Sequence, residues 1–215
     1  MKKILDLLKI LLLIVVFTNC ATDNDDTSIS APSDFYYPAG GPIPFYTNGS
    51  TGTPNIDWGN ETGTFTLNSN YTGVSINNTT GILSWNEDLP LNENIIEVTA
   101  TNSAGFAVTT VLFLHQFSGT FNGGYNNNPS STTVSNNNLN IVFNTNETMS
   151  ATDSGNTVNG TWSFNNDGKL ICLYGSTELE LDLTYSVNVT PLLEGFTRTT
   201  GNATNNGFVR LNYQE

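Results

Sequence analysis

The feature that most narrows what this chain can become is a run of strict alternation. Ile96, Val98 and Ala100 are apolar, and each is followed by a polar residue, Glu97, Thr99 and Thr101. Successive side chains of a strand point to opposite faces, so this period reads as a strand with one buried and one wet face. The same pattern recurs just upstream. Val74-Ser75-Ile76 alternates, and Ile82-Leu83-Ser84-Trp85 follows the turn residues Asn77-Asn78-Thr79-Thr80-Gly81. Residues 71–105 therefore predict three short antiparallel strands bounded by Asn and Gly, and no helical period runs through them.

Strand signals continue on both sides. Residues 32–44 predict an edge strand, because Pro38, Pro42 and Pro44 each lack a donor for a ladder. Residues 55–58 and 64–67 add two more, and the run FAVTTVLFL at 106–114 closes the set. That last run is nearly all apolar, which predicts burial on both faces or a direct lead into the next domain. Seven strands in about 80 residues is an immunoglobulin-like count. Trp85, Ile96, Val98 and Val108 are the expected core. The run GVSI, then TGILSW, then a strand closing in TNSAG resembles the immunoglobulin-like domains of bacterial surface proteins. The resemblance covers 64–112 and implies a β-sandwich over 33–115, here without the cysteine pair of antibody domains.

The pattern resets after His115. Strands are predicted over 117–121, 139–143, 148–151, 160–164, 169–174, 179–189, 193–199 and 207–213, with Asp167-Gly168 as a strong hairpin signal. In the sixth, Leu179, Leu181, Leu183, Tyr185 and Val187 share one face. One long polar segment, 126–138, interrupts the series and reads as a loop. The second domain, 116–215, is thus an eight-stranded antiparallel meander that either closes as a lipocalin-like barrel or stays a two-sheet sandwich. Gly160-Thr161-Trp162 resembles the Gly-x-Trp of lipocalin-type barrels, but on the fourth strand of the series. The fold class expected for the whole chain is all-β.

The N-terminus carries an address. Lys2, Lys3 and Lys9 flank an apolar run over 10–17 that ends at Asn19-Cys20. A basic region followed by a short apolar run is an export signal, and this one is too short to span a bilayer, which takes about 20 apolar residues. Phe17-Thr18-Asn19-Cys20 resembles the lipobox of bacterial lipoproteins, which implies a signal peptide over 1–19 and lipidation of Cys20. Asp23, Asp25 and Asp26 just behind it resemble the surface-export signal of Bacteroidetes lipoproteins. Residues 20–32 then form an acidic tether, and its 14 residues to Ser33 reach about 40 Å when extended. The resemblance places the protein on the outer membrane, lipid-anchored and facing the cell exterior. Removing 1–19 takes three of six basic residues and one of nineteen acids, leaving a net charge of −15. Such a chain has no basic footprint for nucleic acid.

Catalytic constellations are sparse. One histidine, His115, supports no Ser-His-Asp arrangement. Glu178, Glu180 and Asp182 line one strand face as solvated charges rather than as the facing carboxylate pair of a glycosidase. Cys172 sits among apolar residues and reads as core. No metal or cofactor is expected, and the chain reads as non-enzymatic. What remains is binding of an extracellular ligand, a glycan before a surface protein, through the second domain. The residues nominated are Tyr125, Asn126, Asn127 and Asn128 at the mouth of the long loop, and Trp58 beside a turn. The alternative is a structural or assembly component of an outer-membrane complex, and behind it a glycan-acting hydrolase.

Overall fold

The structure, a computed structural model, describes residues 28–134 and 138–215. The expected signal peptide, Cys20 and most of the acidic tether lie outside the described residues. Every regular element among them is a β-strand.

The first half contributes β1 (Ser33–Tyr36), β2 (Ile43–Pro44), β3 (Gly49–Ser50), β4 (Asn55–Asp57), β5 (Thr64–Leu67), β6 (Val74–Ile76), β7 (Leu83–Trp85), β8 (Asn92–Asn102) and β9 (Gly105–Gln116). They form a four-stranded sheet in the order β2-β9-β8-β5, a three-stranded sheet β3-β7-β6 and a two-stranded pair β1-β4. The single edge strand expected over 32–44 is two strands. Pro38 and Pro42 frame Gly40-Gly41, and between them the chain leaves the ladder before β2 joins β9 in parallel. Ile43, Phe65, Leu83, Leu89, Ile96, Val98, Ala100 and Phe113 make the core, with Trp58 and Trp85 packed against it.

The expectation that the 106–114 run is buried on both faces is corrected. β9 alternates: Phe113 is buried, whereas Phe106, Val108 and Leu112 are exposed, Phe106 by 67%. Val108 therefore does not belong to the core. It lies opposite Thr99 of β8, on the outer face of a sheet that has a covering layer only on its inner side. The other half of that expectation holds, since only Phe117-Ser118 separates β9 from the next strand.

That next strand opens a closed barrel: β10 (Gly119–Tyr125), β11 (Leu139–Phe143), β12 (Thr148–Asp153), β13 (Asn156–Phe164), β14 (Leu170–Tyr174), β15 (Thr177–Ser186), β16 (Val189–Thr199) and β17 (Gly207–Gln214). Each strand pairs antiparallel with the next, and β17 returns to β10 with Phe121 opposite Tyr213 and Gly123 opposite Leu211. Closure removes both free edges, which a sandwich would have left unpaired. Strong bending needs close backbone approach, and Gly195 supplies it: a Cβ there would run into the Glu180 carbonyl oxygen across the β15–β16 ladder.

Two hairpins differ from expectation. The strand expected over 179–189 breaks after Ser186. Val187 and Asn188 form a turn with Asn188 at φ 60°, so Val187 leaves the wall that Leu179 and Leu181 line. The strands expected over 148–151 and 160–164 grow toward each other into one long hairpin. Ser154 (φ 49°) and Gly155 (φ 87°) close it, with the positive φ at both central positions that a tight hairpin turn demands.

The barrel is packed. Phe121, Ile141, Phe143, Leu170, Cys172, Leu179, Leu181, Val209 and Leu211 fill it. Burial drives the Cys172 thiol pKa well up, which keeps it an inert apolar filler. One end is closed from outside, by Phe45 of the first half. Phe45 is 2% exposed and its ring meets Phe117 at 5.1 Å, Tyr185 at 5.4 Å and Tyr213 at 5.6 Å, each edge-on. Polar contacts reinforce the junction. The Val187 N–H donates to Asp88 Oδ1 at 2.9 Å, and Tyr185 Oη donates to the Leu89 carbonyl at 3.4 Å. Trp162 helps to close the same end, with Nε1 donating to the Asn144 and Thr148 carbonyls at 3.0 and 3.1 Å.

Candidate ligand site at the barrel mouth

An antiparallel meander sends alternate strand ends to the same rim. The ends of β10, β12, β14 and β16 and the starts of β15 and β17 therefore meet at the end opposite Phe45. The last inward-facing side chains there are polar: Tyr125 of β10, Asp153 of β12, Tyr174 of β14, Thr177 of β15, and Thr197 and Thr199 of β16. Register accounts for this. Tyr125 faces Val209, Asp153 faces Leu139, and Tyr174 faces Thr177, which in turn faces Thr199. Asp153, Tyr174 and Thr177 each stand at a strand end beside an inward neighbour that is apolar and buried, Ala151, Cys172 and Leu179 respectively.

These residues, with Asn127, Ser176, Arg198 and Asn206, line a hollow of about 260 Å³. That is just under the range of roughly 300–1,000 Å³ usual for drug-sized ligands, and barrel mouths are a common place for small-molecule sites. Tyr125 Oη donates to Asp153 Oδ2 at 2.7 Å, and Ser154 Oγ donates to Oδ1 at 3.0 Å. The carboxylate is thus held in place and still has acceptor capacity. Arg198 is held by its neighbours: Nε donates to Asn205 at 2.9 Å, Nη2 to Glu180 at 2.6 Å and Nη1 to Glu178 at 3.5 Å. Tyr174 is driven up in pKa, first by burial and then by Cys172, Asp153 and Tyr125 nearby. Among the described residues no hydrogen bond reaches its hydroxyl, which stays neutral and ready to donate.

The nominated residues separate here. Tyr125 and Asn127 come to the hollow. Asn126 does not: it is buried, and its amide is fully used inside the protein. Nδ2 donates to the Ser131 and Thr133 carbonyls at 2.9 and 2.7 Å, while Oδ1 accepts from the N–H groups of Asn128 and Phe208. It folds residues 127–133 against the start of β17. Asn128 makes a local turn, its Oδ1 accepting from the Ser130 N–H. Residues 135–137 of the long loop lie outside the described residues. Trp58 is half-buried in the first half, its ring edge-on to Phe65 at 5.1 Å. Asp153, Tyr174, Thr177, Thr197, Thr199 and Arg198 were not nominated. Their signal was positional, because each sits beside a turn that meander topology sends to the rim of Tyr125.

Other hollows have fewer convergent polar groups. One of about 420 Å³ runs between residues 70–75 and 84–86, and its two aromatics already have structural partners. Tyr71 Oη accepts the Glu97 N–H at 2.9 Å, and Trp85 packs edge-on against Phe113 at 5.2 Å. Among the described residues no group of three or more His, Cys, Asp or Glu could hold a metal ion, and no helix is long and apolar enough to cross a membrane. No family model, curated protein or solved structure matches the chain.

Proposed function

We propose that this protein is a non-enzymatic, lipid-anchored surface protein whose barrel mouth binds an extracellular glycan, with the first half as an immunoglobulin-like spacer. The observation that carries the reading is the polar ring of Tyr125, Asp153, Tyr174, Thr177, Thr197 and Thr199 above an apolar floor. Hydroxyl and carboxylate groups around aromatic rings match a sugar, which offers hydroxyl donors and acceptors on its edge and C–H groups on its face. The anchor rests on the basic and apolar residues before Cys20 and on the aspartates behind it. The spacer reading is supported by sheets packed about one core and by β2 joining the last strand in parallel.

Position supports the same reading. Phe45 closes the end of the barrel nearest the first half, so the polar ring lies at the far end. Binding is favoured over hydrolysis because, among the described residues, Asp153 is the one carboxylate lining the hollow, whereas glycosidic cleavage uses two about 5–9.5 Å apart. The test is a glycan array probed with the detergent-solubilised full chain, followed by calorimetry on the hits. Tyr174→Phe removes one unpartnered hydroxyl and should weaken binding by about 0.5–1.5 kcal/mol without lowering stability. A hit that tolerates Tyr174→Phe and Thr177→Val equally well binds elsewhere.

A second reading, an assembly component, rests on one observation. Ile95 faces Leu112 across β8–β9, and with Phe106 and Val108 they form an uncovered apolar stripe on the first half. If Leu112→Glu abolishes association with envelope proteins while glycan binding is absent, that reading takes precedence.

A further inference from the structure

From the charges around the mouth we infer its ligand class: sugars that are neutral or carry a free amine, with uronic and sulfated sugars turned away. This inference rests on the glycan reading above and adds the sign of the ligand. Asp153 projects from the inward register of β12 into the hollow, with Tyr125 and Ser154 donating to one oxygen each. A carboxylate has about four acceptor sites, so each oxygen can take a further donor from a ligand. A sugar hydroxyl satisfies that need, and an ammonium group satisfies it with opposite charge as well.

An anionic sugar would need a free cation, and the mouth does not offer one. Among the described residues Arg198 is the only basic one lining the hollow, and its guanidinium is already bracketed by Glu180 at 2.6 Å and Glu178 at 3.5 Å. Counting these four groups, three carboxylates outweigh one guanidinium. The other two basic residues of the barrel are also paired, Lys169 with Asp182 at 2.7 Å and Arg210 with Glu194. The strongly acidic chain adds a repulsive field for any polyanion approaching from solution.

The test compares three defined probes against the detergent-solubilised full chain: chitosan oligosaccharide, chitin oligosaccharide and oligogalacturonate. Calorimetry is run at about pH 6, below the ordinary range of amines, so that the first probe is cationic. The amine-bearing probe is expected to bind at least as tightly as the neutral one, and the uronate at least about tenfold more weakly, since like charges at close quarters are costly. Asp153→Asn keeps the shape and should weaken the amine-bearing probe more than the neutral one, erasing the advantage of the amine. Should that variant fold poorly, the wild-type protein gives the same information through salt. Raising ionic strength from about 0.01 M to 0.15 M shortens the Debye length from about 30 to 8 Å, which should narrow the gap between cationic and neutral probes. Equal binding of uronate, or an amine preference untouched by both Asp153→Asn and salt, overturns the inference while leaving glycan binding in place. If none of the three probes binds and the array is blank, the glycan reading fails and takes this inference with it.

Discussion

The ring of Phe45 stands edge-on to that of Tyr213, with centroids 5.6 Å apart and planes at 84°. The two residues come from different halves of the chain and from opposite ends of the described sequence. Phe45 follows β2, a two-residue strand whose parallel pairing with the end of β9 aims the next side chain into the barrel. The first half is therefore built into the closed end of the barrel as well as linked to it.

Phe45→Ala should cost about 3–5 kcal/mol, the range for emptying a fully buried aromatic site. For a chain of this size that corresponds to a fall in Tm on the order of 10 °C. Calorimetric melting of the full chain checks it. A fall of only a degree or two would mean that the junction contributes little to stability.

His115 makes stability depend on mild acid. The side chain is buried at the junction, stacked on Phe45, with Nδ1 donating to the Leu89 carbonyl at 2.8 Å and Nε2 without a hydrogen-bond partner among the described residues. Burial lowers its pKa, and the carbonyl contacts only partly offset that. The unfolded chain thus takes up a proton near the ordinary value of about 6.5, while the folded protein resists it. Stability should be constant above that pH and should fall as pH drops below it, down to the depressed folded value. Denaturant titrations between about pH 7.5 and 5.5 should show this slope, and His115→Gln should flatten it. An unchanged slope in the variant would assign the acid sensitivity to other groups.

Asn126→Ala should loosen the long loop without opening the barrel. It removes an amide that satisfies two carbonyls and two N–H groups in a buried place, and leaving such groups unpaired costs about 1–3 kcal/mol. Limited proteolysis should become faster between residues 127 and 134, and ligand affinity should drop because Asn127 loses its position at the rim. Unchanged cleavage would mean that the backbone holds the loop unaided.

Gly195→Ala tests closure itself. The added methyl would collide with the Glu180 carbonyl oxygen, so β15 and β16 must separate locally. A cost of about 1–3 kcal/mol is expected, together with faster amide exchange at the paired residues Leu181 and Gly195. Wild-type exchange there would show that the barrel bends elsewhere.

Alternation carried most of the secondary structure. Ile96, Val98 and Ala100 are buried in β8 as their spacing indicates, and all eight barrel strands start from runs visible in the sequence. Strand ends were less legible. Ser154-Gly155 and Val187-Asn188 are turns because the backbone can take positive φ at Ser154, Gly155 and Asn188, and apolar periodicity does not report backbone sign. Val108 shows a related limit. The run around it is nearly all apolar, so which face of β9 would be covered depended on where the other sheets packed.

By itself the sequence determined that this chain is all-β, that its pattern resets near His115, and that Tyr125 stands at the entry to the one long polar loop. Local periodicity and turn chemistry act over a few residues, so they are complete within the segment that shows them. Closure of the meander, entry of Phe45 into its base and the meeting of Tyr125, Asp153, Tyr174 and Thr199 at one rim were decided only in three dimensions. Each depends on registers between strands far apart in the chain, such as Phe121 with Tyr213 and Thr177 with Thr199. Those registers are set by how side chains fill a shared interior, a property that no single segment carries.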